Sequence, residues 1–206
     1  MTGERQPARL REHFPVTTPR LRLRLFEERD LDPLLEMQSD PDLVRYVPFG
    51  VRSRAEVREA LDQRLASPPM DGDDQVMRLV AERLDDGEFV GELTLFLRSV
   101  ADRQGELGFM MRRSQQRQGF GSEAARAVLG LGFDWLGLHR MIGQCDPAND
   151  ASSALMRGLG MRQEAHLREF EIFKGEWGDL LVFAMLEDEW RAAVTGASGP
   201  PAATAD

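Results

Sequence analysis

The chain holds one cysteine, Cys145, and one tyrosine, Tyr46, among its 206 residues. One thiol cannot close a disulfide within the chain or build a cysteine-ligated metal cluster. Three histidines, His13, His139 and His166, stand too far apart for metal-ligand spacing, so no metal is expected. Long apolar runs are missing too, and the opening Met-Thr-Gly-Glu-Arg-Gln-Pro is polar. Neither a leader peptide nor a membrane span is therefore expected, and a cytoplasmic location is the default. Basic residues are outnumbered, 26 Lys and Arg against 35 Asp and Glu, which gives a formal charge of −9. Nucleic-acid binding needs clustered cations, so that class of partner is excluded from the expectation. The same balance would attract a cationic partner such as an amine.

Apolar residues make up 42% of the chain and charged residues 30%, an ordinary globular balance. A chain of this length is expected to form one domain and to bury roughly 70% of its unfolded surface. Residues 1–17 are polar and proline-punctuated, and residues 192–206 are small and rich in Pro and Gly. The domain is accordingly expected over 18–191, with a flexible segment before it and a disordered tail after it.

Within that span the pattern is legible. Leu21, Leu23 and Leu25 alternate with Arg20, Arg22 and Arg24, as in a half-buried strand whose arginines face solvent or acidic partners. Asp30 caps a helix that carries Leu31, Leu34 and Leu35. Ser53-Arg54-Ala55-Glu56 is a capping box, and Val57, Ala60, Leu61 and Leu65 give the helix after it one apolar face. An aromatic loop, Tyr46-Val47-Pro48-Phe49-Gly50, lies between the two helices. Residues 75–82 and 88–97 read as strands joined by Asp85-Asp86-Gly87, and a third strand follows near 106–112. A helix to about Leu136 comes next, then a strand over 140–145 and a short helix ending at Gly158-Leu159-Gly160. Two last strands cover roughly 161–173 and 180–186. The order β-α-α-β-β-β-α-β-α-β-β predicts an α/β domain with a mixed sheet.

The turn Gln116-Arg117-Gln118-Gly119-Phe120-Gly121 stands between the strand ending near Arg112 and the following helix. A glycine-bearing turn that opens a helix aims backbone N–H groups outward at the positive end of the helix dipole, which suits a phosphate. Gly119, Gly121 and Ala124 also satisfy a dinucleotide fingerprint. That reading is disfavoured, because a polar lead-in, residues 112–118, separates the strand from the glycines, and too little chain follows Asp146 to complete a doubly wound sheet.

The spacing Gln/Arg-x-x-Gly-x-Gly resembles the pyrophosphate loop of acyl-CoA-dependent N-acyltransferases, the GNAT superfamily. A second segment is similar to that family's Asn-x-x-Ser…Leu-Gly-Phe pattern: Asn149-Asp150-Ala151-Ser152, then Leu155 and Gly158-Leu159-Gly160-Met161. Glu106-Leu107-Gly108-Phe109, Glu123-Ala124 and the stretch from Trp177 to Trp190 resemble the subgroup that acetylates ribosomal-protein N-termini. The resemblance implies the GNAT fold, with a mostly antiparallel seven-stranded sheet flanked by about four helices. It also implies acetyl-CoA as acyl donor, an amine acceptor (a protein N-terminus or a small molecule), and pairing into a homodimer as in that subgroup.

The resemblance further assigns roles. Gln116, Arg117, Gln118, Gly119, Phe120, Gly121 and Ser122 would hold the CoA pyrophosphate, with the two glycines letting backbone approach the phosphates. Phe109, Met110 and Met111 would run beside the pantetheine arm, and one backbone N–H there would meet the thioester oxygen. One well-aimed donor of that kind is worth on the order of 3 kcal/mol. Where many members place a tyrosine acid this chain has Met156, so the acid role falls to Ser152, while Asn149 binds the pantetheine amide or strand backbone. Glu106, acting through a water, is the favoured base, ahead of Glu92 and Glu169. The loop at 46–50 and the last hairpin would line the acceptor groove.

Blander roles stand beside these. Ser152 can be a first-turn helix serine, Glu106 a strand-edge charge, and Cys145 a small buried hydrophobe. The loss of the tyrosine leaves open an acyl-CoA sensor that binds without catalysis.

Overall fold

The computed structural model describes Leu10, residues 13–66 and residues 70–196. Thirteen elements follow in order: β1 (Val16–Thr17), β2 (Leu21–Leu25), α1 (Leu31–Ser39), α2 (Arg54–Leu65), β3 (Gln75–Arg83), β4 (Phe89–Ser99), β5 (Gln104–Met111), α3 (Phe120–Gly130), β6 (Arg140–Cys145), α4 (Asp150–Gly158), β7 (Arg162–Phe173), β8 (Glu176–Leu186) and α5 (Glu187–Thr195). The strands make one eight-stranded sheet in the order β1-β2-β3-β4-β5-β6-β8-β7. Every pairing in it is antiparallel except β5 with β6. No helix is long and apolar enough to cross a membrane among the described residues.

Two elements exceed the expected seven strands and four helices. The extra strand is β1, where Val16 pairs with Leu23 and packs with Phe14 on the main core. It lies inside the segment expected to be loose. The extra helix is α5, which runs to Thr195 and so takes in the first residues of the expected tail. Trp190 anchors it, stacking 5.7 Å from Phe133 and donating its indole N–H to Asp134 Oδ1 at 3.1 Å. The rest of the expected tail lies outside the described residues.

The sheet buries a different cluster on each face. Leu21, Leu23, Leu79, Leu93, Leu95 and Leu107 meet Ala124, Ala125, Val128 and Leu129 of α3 on one side. Phe26, Val80 and Phe89 meet Leu34, Met37, Val57 and Leu61 of α1 and α2 on the other. The Ser53 box forms as its sequence requires, with Ser53 N–H donating to Glu56 Oε2 at 2.8 Å and Glu56 N–H to Ser53 Oγ at 3.4 Å. Lys174 and Gly175 carry φ of 52° and 93°, the left-handed pair that a two-residue hairpin between β7 and β8 demands.

The arginine stripe beginning at Arg20 finds acidic partners, and its three members differ in burial. Arg24 is buried and donates to Asp30 (2.7 and 2.8 Å) and to Glu82 (2.7 Å). Asp30 thereby fastens the start of α1 to the sheet. Arg22 remains about half exposed, 3.4 Å from Glu82. Removing one partner of a buried pair leaves the others charged and undersolvated, whereas an exposed pair contributes little. Arg24→Ala is expected to lower the unfolding free energy by about 3–5 kcal/mol. Arg22→Ala should change it by less than about 1 kcal/mol. Urea denaturation of the two variants measures both.

Candidate active site

The one parallel pairing in the sheet is also its shortest long-strand contact. β5 and β6 match at Gln104↔Arg140, Gly105↔Met141 and Glu106↔Ile142, and no further. Yet β5 continues to Met111 and β6 to Cys145. Each strand is held on its far side, β5 by β4 along its whole length and β6 by β8 from Arg140↔Leu186 to Cys145↔Leu181. The sheet therefore splits one residue past Glu106, and a wedge opens between residues 107–111 and 143–145.

The hydrogen-bond phase of β5 decides which groups face this wedge. Arg112 N–H donates to Val90 O at 2.9 Å. Antiparallel pairing alternates, so the backbone groups of Met110 and Gly108 also turn to β4, while those of Leu107, Phe109 and Met111 turn into the wedge. Met111 O accepts from Gln116 Nε2 at 3.1 Å. Met110 is thus placed apart from its expected neighbours: its backbone serves β4 and its side chain packs on the core beneath α1 and α2.

At the mouth of the wedge the chain makes a 3-10 turn, Arg113–Gln115, and passes through Arg117 (φ 60°) and Gly119 (φ 82°) into α3. Glu123 N–H to Gly119 O, at 3.1 Å, is the first intrahelical bond. The N–H groups of Phe120, Gly121 and Ser122 precede it, and Gly119 offers no side-chain cap, so they have no helical acceptor. Three donors collect there at the positive end of the helix.

Sequence reasoning missed what holds this turn. Arg20 donates to Gln118 O (3.0 Å) and Glu123 Oε2 (2.6 Å), and lies 4.6 Å from the Phe120 ring centroid. Glu123 also accepts from Thr18 Oγ1 at 2.6 Å and from Arg20 N–H at 2.8 Å. Burial would raise the Glu123 carboxyl, but these bonds outweigh it and hold the group below its ordinary range. The two glycines also have different reasons. Gly119 needs its left-handed φ, whereas a Cβ at Gly121 would point inward, 3.1 Å from Leu155 Cδ1 and 3.4 Å from Met111 Cγ. Gly121 therefore brings α3, α4 and β5 together rather than clearing room for a ligand.

Helix α4 lies along the β6 side. Asn149 caps it, its Oδ1 accepting from Ser152 N–H at 3.1 Å. Ser152 is half-buried, and its hydroxyl has no hydrogen-bond partner among the described residues. Met156 follows one turn later on the same helix face and is buried against β6, where a Cβ at Gly143 would meet its sulfur at 2.6 Å. Cys145 ends β6 with Sγ 3.3 Å from Ser153 Oγ, and burial pushes its thiol up.

The three carboxylates diverge. Glu106 stands at the vertex of the wedge, on the face toward α1 and α2, with Oε2 accepting Arg98 Nε (3.0 Å) and Nη2 (2.7 Å). Glu92 is buried and clasped by Arg64 (2.9 and 2.8 Å), with Arg78 at 3.4 Å, so its lone pairs are committed. Glu169 is exposed on β7, where its N–H donates to Asp179 at 2.9 Å. The aromatic loop is tied down at both sides. Tyr46 Oη donates to Ala148 O (3.1 Å), and Lys174 Nζ donates to Val44 O (2.7 Å) and Arg45 O (3.2 Å).

Known proteins resemble the chain in sequence and fold. The profile of the Acetyltransferase (GNAT) domain matches residues 20–162. The uncharacterized N-acetyltransferase YnaD of Bacillus subtilis is 31% identical over 175 residues, covering 85% of this chain and 98% of its own. A GNAT-family acetyltransferase from Bacillus anthracis superposes with a TM-score of 0.76 at 28% identity, over 84% of this chain and 99% of that one. A spermidine N-acetyltransferase from Vibrio cholerae, solved with CoA and spermine, shares the fold with a TM-score of 0.72 at 20% identity, over 84% and 99% of the two chains.

The glycine geometry carries a test of its own. Gly121→Val should cost about 1–3 kcal/mol through overpacking against Leu155 and Met111. Gly119→Ala should cost about 1–2 kcal/mol through its left-handed backbone. Denaturant midpoints of the two variants measure these losses.

Proposed function

The chain belongs to the Acetyltransferase (GNAT) domain family, and we propose that it transfers an acetyl group from acetyl-CoA to a primary amine by direct attack. The observation that carries this reading is the wedge that opens past Glu106 with, at its mouth, three N–H groups of α3 that have no helical acceptor. An unpaired strand edge can hydrogen-bond an extended amide-bearing chain such as pantetheine, and a helix N-terminus can hold a pyrophosphate. In this assignment Gln116, Arg117, Gln118, Gly119, Phe120, Gly121 and Ser122 hold the phosphates. Phe109 and Met111 offer backbone groups along the wedge, and the spare amide of Asn149 reaches across from the other lip.

Bound acetyl-CoA supplies an activated thioester, so the protein has four tasks: to hold it, to take a proton from the amine, to stabilise charge on the carbonyl oxygen and to protonate the departing sulfur. Alkylamines are largely protonated at neutral pH, their ordinary pKa being about 10.4. Glu106, at the vertex, has Oε1 outside its two hydrogen bonds to Arg98 and takes the amine proton through a water. The amine nitrogen then bonds to the carbonyl carbon, and a backbone N–H of β5 directed into the wedge meets the oxygen as it gains charge. As the carbon–sulfur bond breaks, Ser152 Oγ donates a proton to sulfur and is restored by the second proton that the nitrogen sheds in becoming the amide. Its position supports this role, because it sits one turn before Met156 on the face that α4 turns to β6.

Thermal denaturation with acetyl-CoA tests the binding step: a ligand at 100 times its Kd should add about 2.7 kcal/mol of stability. Release of free thiol in the presence of amines then separates catalysis from sensing alone. Ser152→Ala is expected to leave the thermal shift intact and to lower kcat about 10²-fold. Unchanged turnover would remove Ser152 from the reaction.

A further inference from the structure

Three guanidinium groups converge on the face of the sheet that carries Glu106, and the carboxylates there do not balance them. Arg78 projects from β3, Arg64 from α2 and Arg52 from the segment before α2. Glu92 is their one buried carboxylate, bound on both oxygens by Arg64 and approached by Arg78 at 3.4 Å. Glu56 acts on Arg52 from the surface, and Ser53 already engages its Oε2. Burial and the neighbouring Arg64 hold both Arg52 and Arg78 below the ordinary arginine range, outweighing the nearby Glu92 and Glu56.

A second, independent observation marks the same place. Gln38 is fully buried, and its Oε1 accepts from Arg52 Nη1 at 3.0 Å. Only the oxygen can accept from a guanidinium, so the orientation of the amide is fixed. Its Nε2 is then a buried donor with no acceptor among the described residues. Such a group is retained at a cost unless something fills it. Arg52 is itself pre-set, lying 3.9 Å above the Phe49 ring and taking a backbone bond to Gln38 O at 3.0 Å. The surplus at this site is therefore one of donors and of positive charge, and its complement is an anion.

The register measures its distance from the wedge. Arg78 pairs with Thr94, and Thr94 with Gly108, the residue between Glu106 and Met110 on the same face of β5. Two strand spacings separate Arg78 from Gly108, about 10 Å. A tripeptide spans roughly this length.

Taking the proposed acetyl transfer as its premise, we propose that the acceptor carries an anionic group, a carboxylate or a phosphate, about 10 Å from the amine, and that Arg52 and Arg78 bind it beside Gln38. The planar donor fork of arginine fits either anion. Polyamines, which place a second cation there, are disfavoured acceptors.

Calorimetric titration into the full chain saturated with CoA tests this without relying on turnover, using trialanine, trialanine amide and a tripeptide amide ending in O-phosphoserine. Trialanine or the phosphoserine peptide should bind at least tenfold more tightly than trialanine amide, and the better of the two identifies the anion. Arg78→Met, which leaves Arg64 to hold Glu92, should erase that preference without altering CoA binding. Gln38→Glu puts an internal carboxylate beside Arg52, and should likewise abolish the preference while raising Tm. Equal affinity for the three peptides, no binding of any of them to the CoA complex, or a preference that survives both substitutions would overturn the proposal. Failure of CoA itself to bind would instead overturn the acetyl-transfer reading.

Discussion

Everything in the site depends on a competition among backbone hydrogen bonds. β6 is committed to β8 along its full length and β5 to β4, so the two strands share only three register pairs before their twist carries them apart. A sheet normally hides such edges by pairing or covering them. Here the unpaired groups of β5 and β6 form the two walls of one cleft. The turn after β5 brings the N-terminus of α3 to its mouth, and α4 lies along the β6 wall. Gly121 and Gly143 set how closely these helices sit, since side chains in either place would push against Leu155, Met111 or Met156.

Local signals were legible in the sequence, and convergent ones were not. The alternation of Leu21, Leu23 and Leu25, the Ser53 box and the Asp85-Asp86-Gly87 turn each act within a few residues, so they foretold β2, α2 and the β3–β4 hairpin. The glycine turn before α3 is equally local. β1 was missed because two residues cannot show a period, and α5 because Trp190 is its one buried side chain. That the β2 arginines would find acidic partners was open to the sequence, but which partners Arg24 takes was not, because Asp30 and Glu82 lie 6 and 58 residues away and only the folded sheet brings them together. The cluster of Arg52, Arg64 and Arg78 comes from three separate segments, and no spacing rule could have joined them.

The electrostatics also differ between the whole and the part. The chain as a whole carries a formal charge of −9, which favours cationic partners at long range. Around Glu92 the balance reverses. Carboxylates here work as internal fasteners: Asp30 binds the start of α1 to β2, Glu82 binds β3 to β2, Glu92 binds α2 to β4, and the half-buried Glu123 binds α3 to the start of β2. Glu106 differs in position, because it meets its arginine at the edge of the cleft.

Lys174 is the chain's one lysine, and the other 25 of its 26 basic residues are arginine. Its ammonium group is spent on the carbonyls of Val44 and Arg45, where it fastens the β7–β8 turn to the aromatic loop. Guanidinium groups stay protonated and are poor nucleophiles, so they do not compete for an acyl group. A protein proposed to use a reactive thioester is thereby built with almost no side-chain amine of its own to acylate. The one lysine side chain is a clasp, and its modification would untie the β7–β8 turn from the loop that follows α1.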